Sequence, residues 1–251
     1  MIGERATDRV VFSITGGDRV KFLQGLVSND VEHLTDHLVY AAMLTPQGKY
    51  LADFFLTEGS DAILLDVKDS FSESLFQRLN MYKLRADVDI KYSDLKVLRG
   101  LGEAPSGALP DPRHPALGWR AYSDDRGAKA AIDWDAIRVE HCVPETGIEL
   151  IPNEQFILEA GFERLSGVDF QKGCYVGQEV TARMKHKTEL RKGFVTVDID
   201  GQATVGTDIV ANGKVAGQIF TQSGGRAIAY LRFGRAQAEM TAGDARVSWK
   251  K

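Results

Sequence analysis

The sequence predicts an α+β protein whose C-terminal part is a small antiparallel β-barrel or sandwich. Over the first part of the chain, apolar runs follow the order strand, strand, helix, strand, strand, which is typical of an α+β module. The helix in that series carries apolar side chains at helical spacing, namely Phe71, Leu75, Leu79 and Tyr82. From Leu190 onward, short apolar strands recur between turn signals without an intervening helix, as in a small barrel or sandwich.

The N-terminal elements are a strand and a short helix. Residues 10–14 alternate weakly between apolar and polar side chains and predict a strand that ends at the two glycines 16 and 17. Asp18 is a suitable N-cap for a helix that closes near Asn29. The apolar side chains expected on one face of this helix are Phe22, Leu23, Leu26 and Val27.

A β-hairpin and a second helix follow. The apolar runs 39–45 and 50–57 are joined by Pro46-Gln47-Gly48, whose proline and glycine suit a turn, so the runs predict a hairpin. Further predicted elements are strands over residues 62–67, 87–92 and 95–101 and a helix over residues 70–84.

The middle of the chain contains the best candidate for a linker. Residues 102–115 hold four of the seven prolines, which predicts a long loop. A strand over residues 117–122 and a helix over residues 130–142, ended by Pro144, are expected next. The barrel strands are predicted over residues 193–199, 207–210, 214–221, 226–231 and 245–249.

Composition and charge exclude several classes of protein. The chain has 251 residues and a formal net charge of −4, so it lacks the basic bias of a general nucleic-acid binder. It contains no run of about 18 apolar residues, so no membrane helix is expected, and its first residues do not resemble a secretory signal. With only two cysteines, Cys142 and Cys174, a disulfide framework is not expected, and a reducing cytoplasm is the predicted location.

The most basic segment spans residues 171–192. It holds six basic and two acidic side chains within an acidic protein. On charge alone, a solvated basic surface explains such a segment, but clustered lysine and arginine side chains also suit a carboxylate or a phosphate. Both interpretations stay open from the residues alone.

Cys174 lies inside this basic segment, just before a predicted helix over residues 178–185. The flanking Gly173 and Gly177 permit unusual backbone angles and the close approach of a ligand. The positive end of the helix dipole, together with Lys172, would favour a thiolate. A buried, unreactive cysteine is the more common outcome for a free thiol, so both interpretations are kept.

Glu140, in the predicted helix over residues 130–142, is a second candidate. Asp135 and Arg138 can pair at a spacing of three residues, whereas Glu140 lies on a different face. Turned into a pocket, its carboxylate would suit the two adjacent N–H donors of a pterin; on the surface it would be solvated. The five histidines are scattered and show no metal-ligand spacing, so no metal site is predicted.

The segment Lys172-Gly173-Cys174-Tyr175-Val176-Gly177-Gln178-Glu179, followed by Arg183, resembles the motif of the YgfZ family of folate-binding proteins. Segments 22–31, 44–53 and 83–88 resemble the same family in the same order. That family is related to the aminomethyltransferases of the glycine-cleavage system. The resemblance covers nearly the whole chain and is weakest over residues 103–126 and after residue 201.

The resemblance implies a GcvT-like ring of three domains around a central cavity that holds tetrahydrofolate. By this comparison, residues 1–45 with 112–187 form a discontinuous folate-binding α+β domain, residues 46–111 a ferredoxin-like subdomain, and residues 188–251 the barrel. The thiol of Cys174 takes the central role, as the candidate catalytic group. The residues implied to bind the folate are Asp53, Glu140, Lys172, Tyr175, Gln178, Glu179 and Arg183.

The resemblance further implies an accessory factor that binds tetrahydrofolate and supports maturation or repair of iron–sulfur proteins, without catalytic turnover of its own. Its partners would be iron–sulfur enzymes or cluster-assembly proteins, and it would act as a monomer. Two alternatives are a folate-dependent aminomethyl or one-carbon transferase and a factor in tRNA modification that binds tRNA through the basic segment. Aminomethyl transfer is disfavoured, because Ala52-Asp53 carries one carboxylate where the transferases have two.

Overall fold

The computed structural model describes residues 3–32, 34–35, 37–187 and 189–250, and it describes Lys187 by its backbone alone. In this part of the chain, β-sheets are combined with helices. The helices are α1 (Arg19–Gln24), α2 (Asp69–Lys83), α3 (Trp134–His141) and α4 (Gln178–Lys187), and Pro115–Leu117 forms a short 3₁₀ helix. The α+β class predicted from the sequence is confirmed.

The N-terminal strands form two open antiparallel sheets. They are β1 (Glu4–Arg5), β2 (Arg9–Thr15), β3 (Val39–Leu44), β4 (Tyr50–Glu58), β5 (Ile63–Lys68), β6 (Asp89–Ser93), β7 (Lys96–Gly100), β8 (Leu109–Pro110) and β9 (Trp119–Ser123). The first sheet has the spatial order β3-β4-β5-β2-β6, and the second has the order β1-β7-β9-β8.

The C-terminal strands close into an antiparallel barrel, as predicted. They are β10 (Lys192–Asp200), β11 (Asp208–Ala211), β12 (Lys214–Ser223), β13 (Arg226–Arg232), β14 (Glu239–Ala242) and β15 (Ala245–Ser248). The sequence pattern missed β14, because a four-residue strand contains too little alternation to be recognised. Among the described helices, none is both long and apolar enough to cross a membrane.

The first sheet is buried on both faces, which explains why its central strands are apolar throughout. Every residue of β3 is buried, and so is nearly every residue of β4. One face, including Phe54 and Leu56, packs on α1 and α2. The other face, including Tyr40 and Tyr50, packs on buried residues that follow α3. Asp53 on β4 therefore projects into the protein interior.

The strand pairing does not divide the chain between residues 45 and 46, where a domain boundary was expected. The strands β3 and β4 lie on either side of that boundary and pair with each other, from Val39 opposite Leu56 to Leu44 opposite Tyr50. Residues 46–111 likewise contribute strands to both open sheets. Buried backbone N–H and C=O groups need hydrogen-bond partners, and the strands on both sides of residue 45 supply them to each other. The chain on both sides of that residue therefore belongs to one sheet.

The helix α1 is shorter than the apolar pattern predicts, since it ends at Gln24. The next residues leave the helix and extend the edge of the first sheet. Val27 forms a β-bridge with Met43, and the amide of Ser28 donates to the carbonyl of Ala42 at 2.9 Å. For residues 31–34 the sequence predicts a second short helix or turn, and His33 in that segment lies outside the described residues.

The predicted linker over residues 102–115 is folded into the protein instead. Its strand β8 pairs with β9, and the side chains of Asp111 and Arg113 are buried. Composition alone marks a break in regular structure and does not separate a linker from a packed loop.

Candidate functional site

The motif segment forms a loop that leads into α4. Cys174 is exposed on this loop, four residues before α4 begins at Gln178. The side-chain amide of Gln178 donates to the carbonyl of Gly173 at 3.4 Å, which ties the start of the helix back to the loop. The predicted position of Cys174 before a helix N-terminus is confirmed, and its side chain is exposed rather than buried.

Lys172 supports this loop from the inside. Its side chain is buried, and its ammonium group donates to the carbonyl oxygens of Gln24, Val27 and Asn29 at 2.9, 2.6 and 2.8 Å. These bonds use all three N–H donors of the ammonium group, so none is left for a carboxylate or a phosphate. Burial lowers the pKa of Lys172 to about 8. The structure thus gives Lys172 a role inside the fold, and its binding of folate stays a prediction.

Tyr175 and Gly177 fix the other side of the loop. Tyr175 is buried in the same core as Tyr40, and burial raises the pKa of its phenol. Gly177 has a φ of +85°, and a Cβ at that position would lie 2.7 Å from the carbonyl oxygen of Thr45. Only glycine suits both restrictions without strain. The exposed Cys174 is therefore held on a loop that is anchored on both sides.

Glu179 and Arg183 lie on the exposed face of α4, away from the buried side of the loop. Their side chains pair with each other at 2.6 Å, one helical turn apart, and are 84% and 61% exposed. Among the described side chains of this segment, Lys185 also pairs with Glu163, and Lys192 pairs with Glu159. The positive charge predicted for the segment is therefore partly neutralised by neighbouring carboxylates.

Asp53 is buried on β4, where three hydroxyl groups hold it. It accepts hydrogen bonds from Tyr40 at 3.0 Å, from Tyr50 at 2.5 Å and from the hydroxyl of Thr146. Burial and the nearby Asp53 carboxylate raise the pKa of both tyrosines well above the ordinary value, so both stay protonated and donate. The structure thus places Asp53 in the interior, whereas Cys174 lies at the surface.

Glu140 lies on the exposed face of α3, and its contact with a folate stays a prediction. Its carboxylate is 60% exposed and lies 3.9 Å from Arg226 of the barrel. The inward-facing charge of α3 is Arg138, which contacts Glu149 at 3.0 Å and the hydroxyl of Thr221 in β12 at 3.0 Å. Helical spacing did not single out Glu149, because that residue lies in a turn beyond the helix.

A network of buried ion pairs fills the seam between the two open sheets. Asp66 on β5 pairs with Arg9 on β2 and, at 3.1 Å, with Arg120 on β9. Asp111 pairs with Arg113 at 2.9 Å and with Arg120 at 3.0 Å. Burial alone would raise the pKa of Asp111, but the two arginines hold that pKa far below its ordinary value. Sequence reasoning missed the pairs of Asp66, because Arg9 and Arg120 lie 57 and 54 residues from it in the chain.

Glu145 extends the network toward α3. Its carboxylate accepts a hydrogen bond from the ammonium of Lys68 at 2.9 Å. Burial by itself would raise the pKa of Glu145, but Lys68, Arg138 and Arg9 outweigh it and lower that pKa to about 2. The only sequence signal for this network is the presence of charged residues inside otherwise apolar strands, such as Asp66 in β5.

The space that remains at the seam is small. A cavity of about 10 Å³ is lined by Arg99, Asp111, Arg113, Leu117, Arg120, Trp134, Arg138 and Glu145. Such a volume holds about one water molecule, whereas pockets for organic ligands of ordinary size measure roughly 300 Å³ or more. In the described arrangement, the residues of this seam do not fit a tetrahydrofolate.

Comparison with solved structures identifies the fold. The chain matches the glycine cleavage system aminomethyltransferase T from Bartonella henselae with a TM-score of 0.78, over 98% of this chain and 84% of that chain. The chain has the aminomethyltransferase fold. Since the sequence identity is 14%, this likeness establishes the fold and carries no conclusion about activity.

Comparison with sequences points to iron–sulfur cluster assembly. Residues 191–251 match the family model described as CAF17, C-terminal beta-barrel domain. The mitochondrial iron-sulfur cluster assembly factor IBA57 homolog of Mycosarcoma maydis is 33% identical over 74% of this chain, and mouse IBA57 is 27% identical over 91% of it. The chain spans 54% of the fungal relative and 76% of the mouse relative. The predicted relation to iron–sulfur assembly factors is thus supported in this broader form, through relatives named IBA57 rather than YgfZ.

These relatives contradict the predicted cytoplasmic location. The fungal, mouse and human proteins are all named as mitochondrial, and the human protein is 28% identical over 90% of this chain. Unpaired cysteines indicate a reducing compartment, but they do not distinguish one such compartment from another. The cytoplasmic prediction is therefore wrong.

Proposed function

We propose that this protein is an accessory factor in the assembly of iron–sulfur cluster proteins. The observation that carries the proposal is the exposed Cys174, held on a loop that Lys172 and Gly177 anchor. The names of the relatives supply the biological context, since each is an iron-sulfur cluster assembly factor.

The geometry of the loop suits a thiol that meets a large partner. A thiolate is a soft ligand that iron–sulfur clusters accept, and Cys174 reaches solvent without unfolding the loop. Because Lys172, Tyr175 and Gly177 are committed to the fold, the thiol is the group that the loop presents outward. We therefore assign Cys174 the contact with the cluster, as substrate, or with the client protein that receives it.

A complementation experiment tests this role. In a strain that lacks the gene, the wild-type chain should restore the activity of [4Fe–4S] enzymes, and Cys174→Ala should fail to do so. Cys142→Ala is the matched control, because Cys142 is largely buried and burial raises the pKa of its thiol to about 11. Full rescue by Cys174→Ala would contradict a role for the thiol, and normal [4Fe–4S] enzyme activity in the deletion strain would contradict the function itself.

Tetrahydrofolate binding stays a prediction from the family resemblance. Because the seam holds a cavity of about 10 Å³, a folate would enter there only if ion pairs such as Asp111 with Arg113 separated. Titration calorimetry of the purified protein with tetrahydrofolate tests the prediction. Saturation at one ligand per chain would support it; no heat of binding would remove folate from the proposal and leave cluster assembly standing.

A further inference from the structure

A second pocket lies on the face of β4 opposite to Asp53, between α2, the β3–β4 hairpin and the turn that contains Pro152 and Asn153. Its volume is about 280 Å³, close to the lower end of the range for small-molecule sites. We call it the α2 pocket. It is formed by residues that take no part in the loop around Cys174 or in the ion pairs of the seam.

The floor of the α2 pocket is apolar. Met43 on β3, Ala52 on β4 and Leu75 on α2 are all buried and line it. The ring of Phe71 is partly buried against the same core and forms a side wall. Contact between these surfaces and an apolar group of a ligand would be favourable, because apolar area on both sides would be removed from water.

The rim of the α2 pocket is polar and carries a single positive charge. Ser70, Ser74 and Arg78 are spaced four residues apart, so they form one row along α2 that faces the pocket. Arg78 forms no ion pair or hydrogen bond with any residue in the described part of the chain. The residues that line the pocket include no carboxylate. The guanidinium of Arg78 is therefore available to an anion from outside the chain.

The wall opposite α2 is held rigidly. The amide of Asn153 donates to the carbonyl of Tyr50 at 2.8 Å, and the amide of Tyr50 donates to the carbonyl of Gln155 at 3.0 Å. These bonds fix the turn to the end of β4. A wall that does not have to be ordered on binding lowers the entropic cost of holding a ligand.

We infer that the α2 pocket binds a small organic carboxylate with an apolar body. The apolar part would lie on Met43, Ala52 and Phe71. The carboxylate would accept hydrogen bonds from Arg78 and from the hydroxyl of Ser70, since the hydroxyl of Ser74 donates to the carbonyl of Phe71. A wholly apolar ligand would leave the charged rim without a partner, and inorganic phosphate would leave the apolar floor uncovered. The inference is independent of the proposed function, since it uses neither Cys174 nor folate.

Titration calorimetry with 4-phenylbutyrate as the probe tests this inference, and 4-phenyl-1-butanol is its uncharged counterpart. The wild-type chain should bind the carboxylate saturably and at least tenfold more tightly than the alcohol. Arg78→Gln should weaken the carboxylate at least tenfold and abolish the preference over the alcohol. Arg85→Gln is the matched control, because Arg85 is exposed beyond the end of α2, and it should bind as the wild type does.

A second pair of variants tests the inference independently, in case the Arg78 variant does not fold. Ser74→Asp adds a negative charge to the rim on an exposed helical position and should also weaken 4-phenylbutyrate at least tenfold; Asn80→Asp adds the same charge to α2 outside the pocket and should leave binding unchanged. Circular dichroism checks that every variant is folded. The inference is overturned if the wild type shows no saturable binding in the millimolar range, if the alcohol binds as tightly, or if Arg78→Gln and Ser74→Asp bind like their controls.

Discussion

At the scale of single residues, the loop around Cys174 contains residues that hold the loop in place and one cysteine that faces the solvent. Lys172 belongs to a basic motif, yet its ammonium satisfies three backbone carbonyls. A buried carbonyl group without a partner costs free energy, so this lysine stabilises the chain that it crosses. The exposed group that remains is the thiol, and its position depends on the backbone of Gly177.

Alanine substitutions at Gly173 and Gly177, the two glycines of the loop around Cys174, should differ in their effect on the free energy of unfolding. Gly177→Ala should lower the free energy of unfolding by about 2 kcal/mol or more, because alanine is strained at that positive φ and its Cβ would meet Thr45. Gly173→Ala is the matched control, since a Cβ there meets nothing within 4 Å and its φ is not positive. Urea unfolding followed by circular dichroism measures both variants; equal losses of stability would show that Gly177 does not anchor the loop.

At the scale of elements, the segment over residues 102–115 shows what a proline-rich composition leaves open. Its prolines correctly predicted the absence of a long helix or strand. The segment nevertheless carries Asp111 and Arg113 into the seam, where they pair with each other and with Arg120 of β9. A mobile linker would leave such charges in water, so this segment is part of the packed fold.

Removing the charge of Asp111 tests that conclusion. Asp111→Asn should lower the free energy of unfolding by about 3 kcal/mol or more, because it leaves the buried Arg113 without its carboxylate. The control is Asp244→Asn, in an exposed turn of the barrel, for which a change within about 0.5 kcal/mol is expected. Chemical denaturation compares the variants with the wild type. A loss for Asp111→Asn no larger than for Asp244→Asn would mean that residues 102–115 behave as a linker in solution.

At the scale of the whole molecule, charged side chains connect parts that are separate in sequence. Arg138 of α3 binds both Glu149 and Thr221 of the barrel, and the amide of Thr221 donates to Glu149 at 3.2 Å. Glu145 joins the segment that follows α3 to the first sheet through Lys68. The stability of the assembled protein therefore depends on carboxylates that stay ionised in the interior.

The contribution of the ionised Glu145 carboxylate to stability can be measured as a function of pH. Its pKa is about 2 in the folded chain and about 4.5 without the fold, so its contribution is present above pH 4.5 and is lost as the pH falls toward 2. The difference corresponds to about 3 kcal/mol at most. Urea unfolding between pH 2 and 7 should show a shallower loss on acidification for Glu145→Gln than for the wild type. Identical slopes for the two proteins would show that Glu145 does not titrate as the ion pairs require.

The sequence by itself determined the class of fold, most of the strands and helices, the C-terminal barrel and the position of Cys174 before a helix. These features depend on local signals, namely apolar spacing, turn residues and caps, which are legible within a few residues. Only the tertiary structure decided that Glu149 rather than Glu140 is buried, that Lys172 binds carbonyls and that residues 102–115 are packed. Those outcomes depend on partners that are distant in the chain, such as Lys172 and Val27, which are 145 residues apart. No local pattern indicates which distant group will lie beside a buried charge.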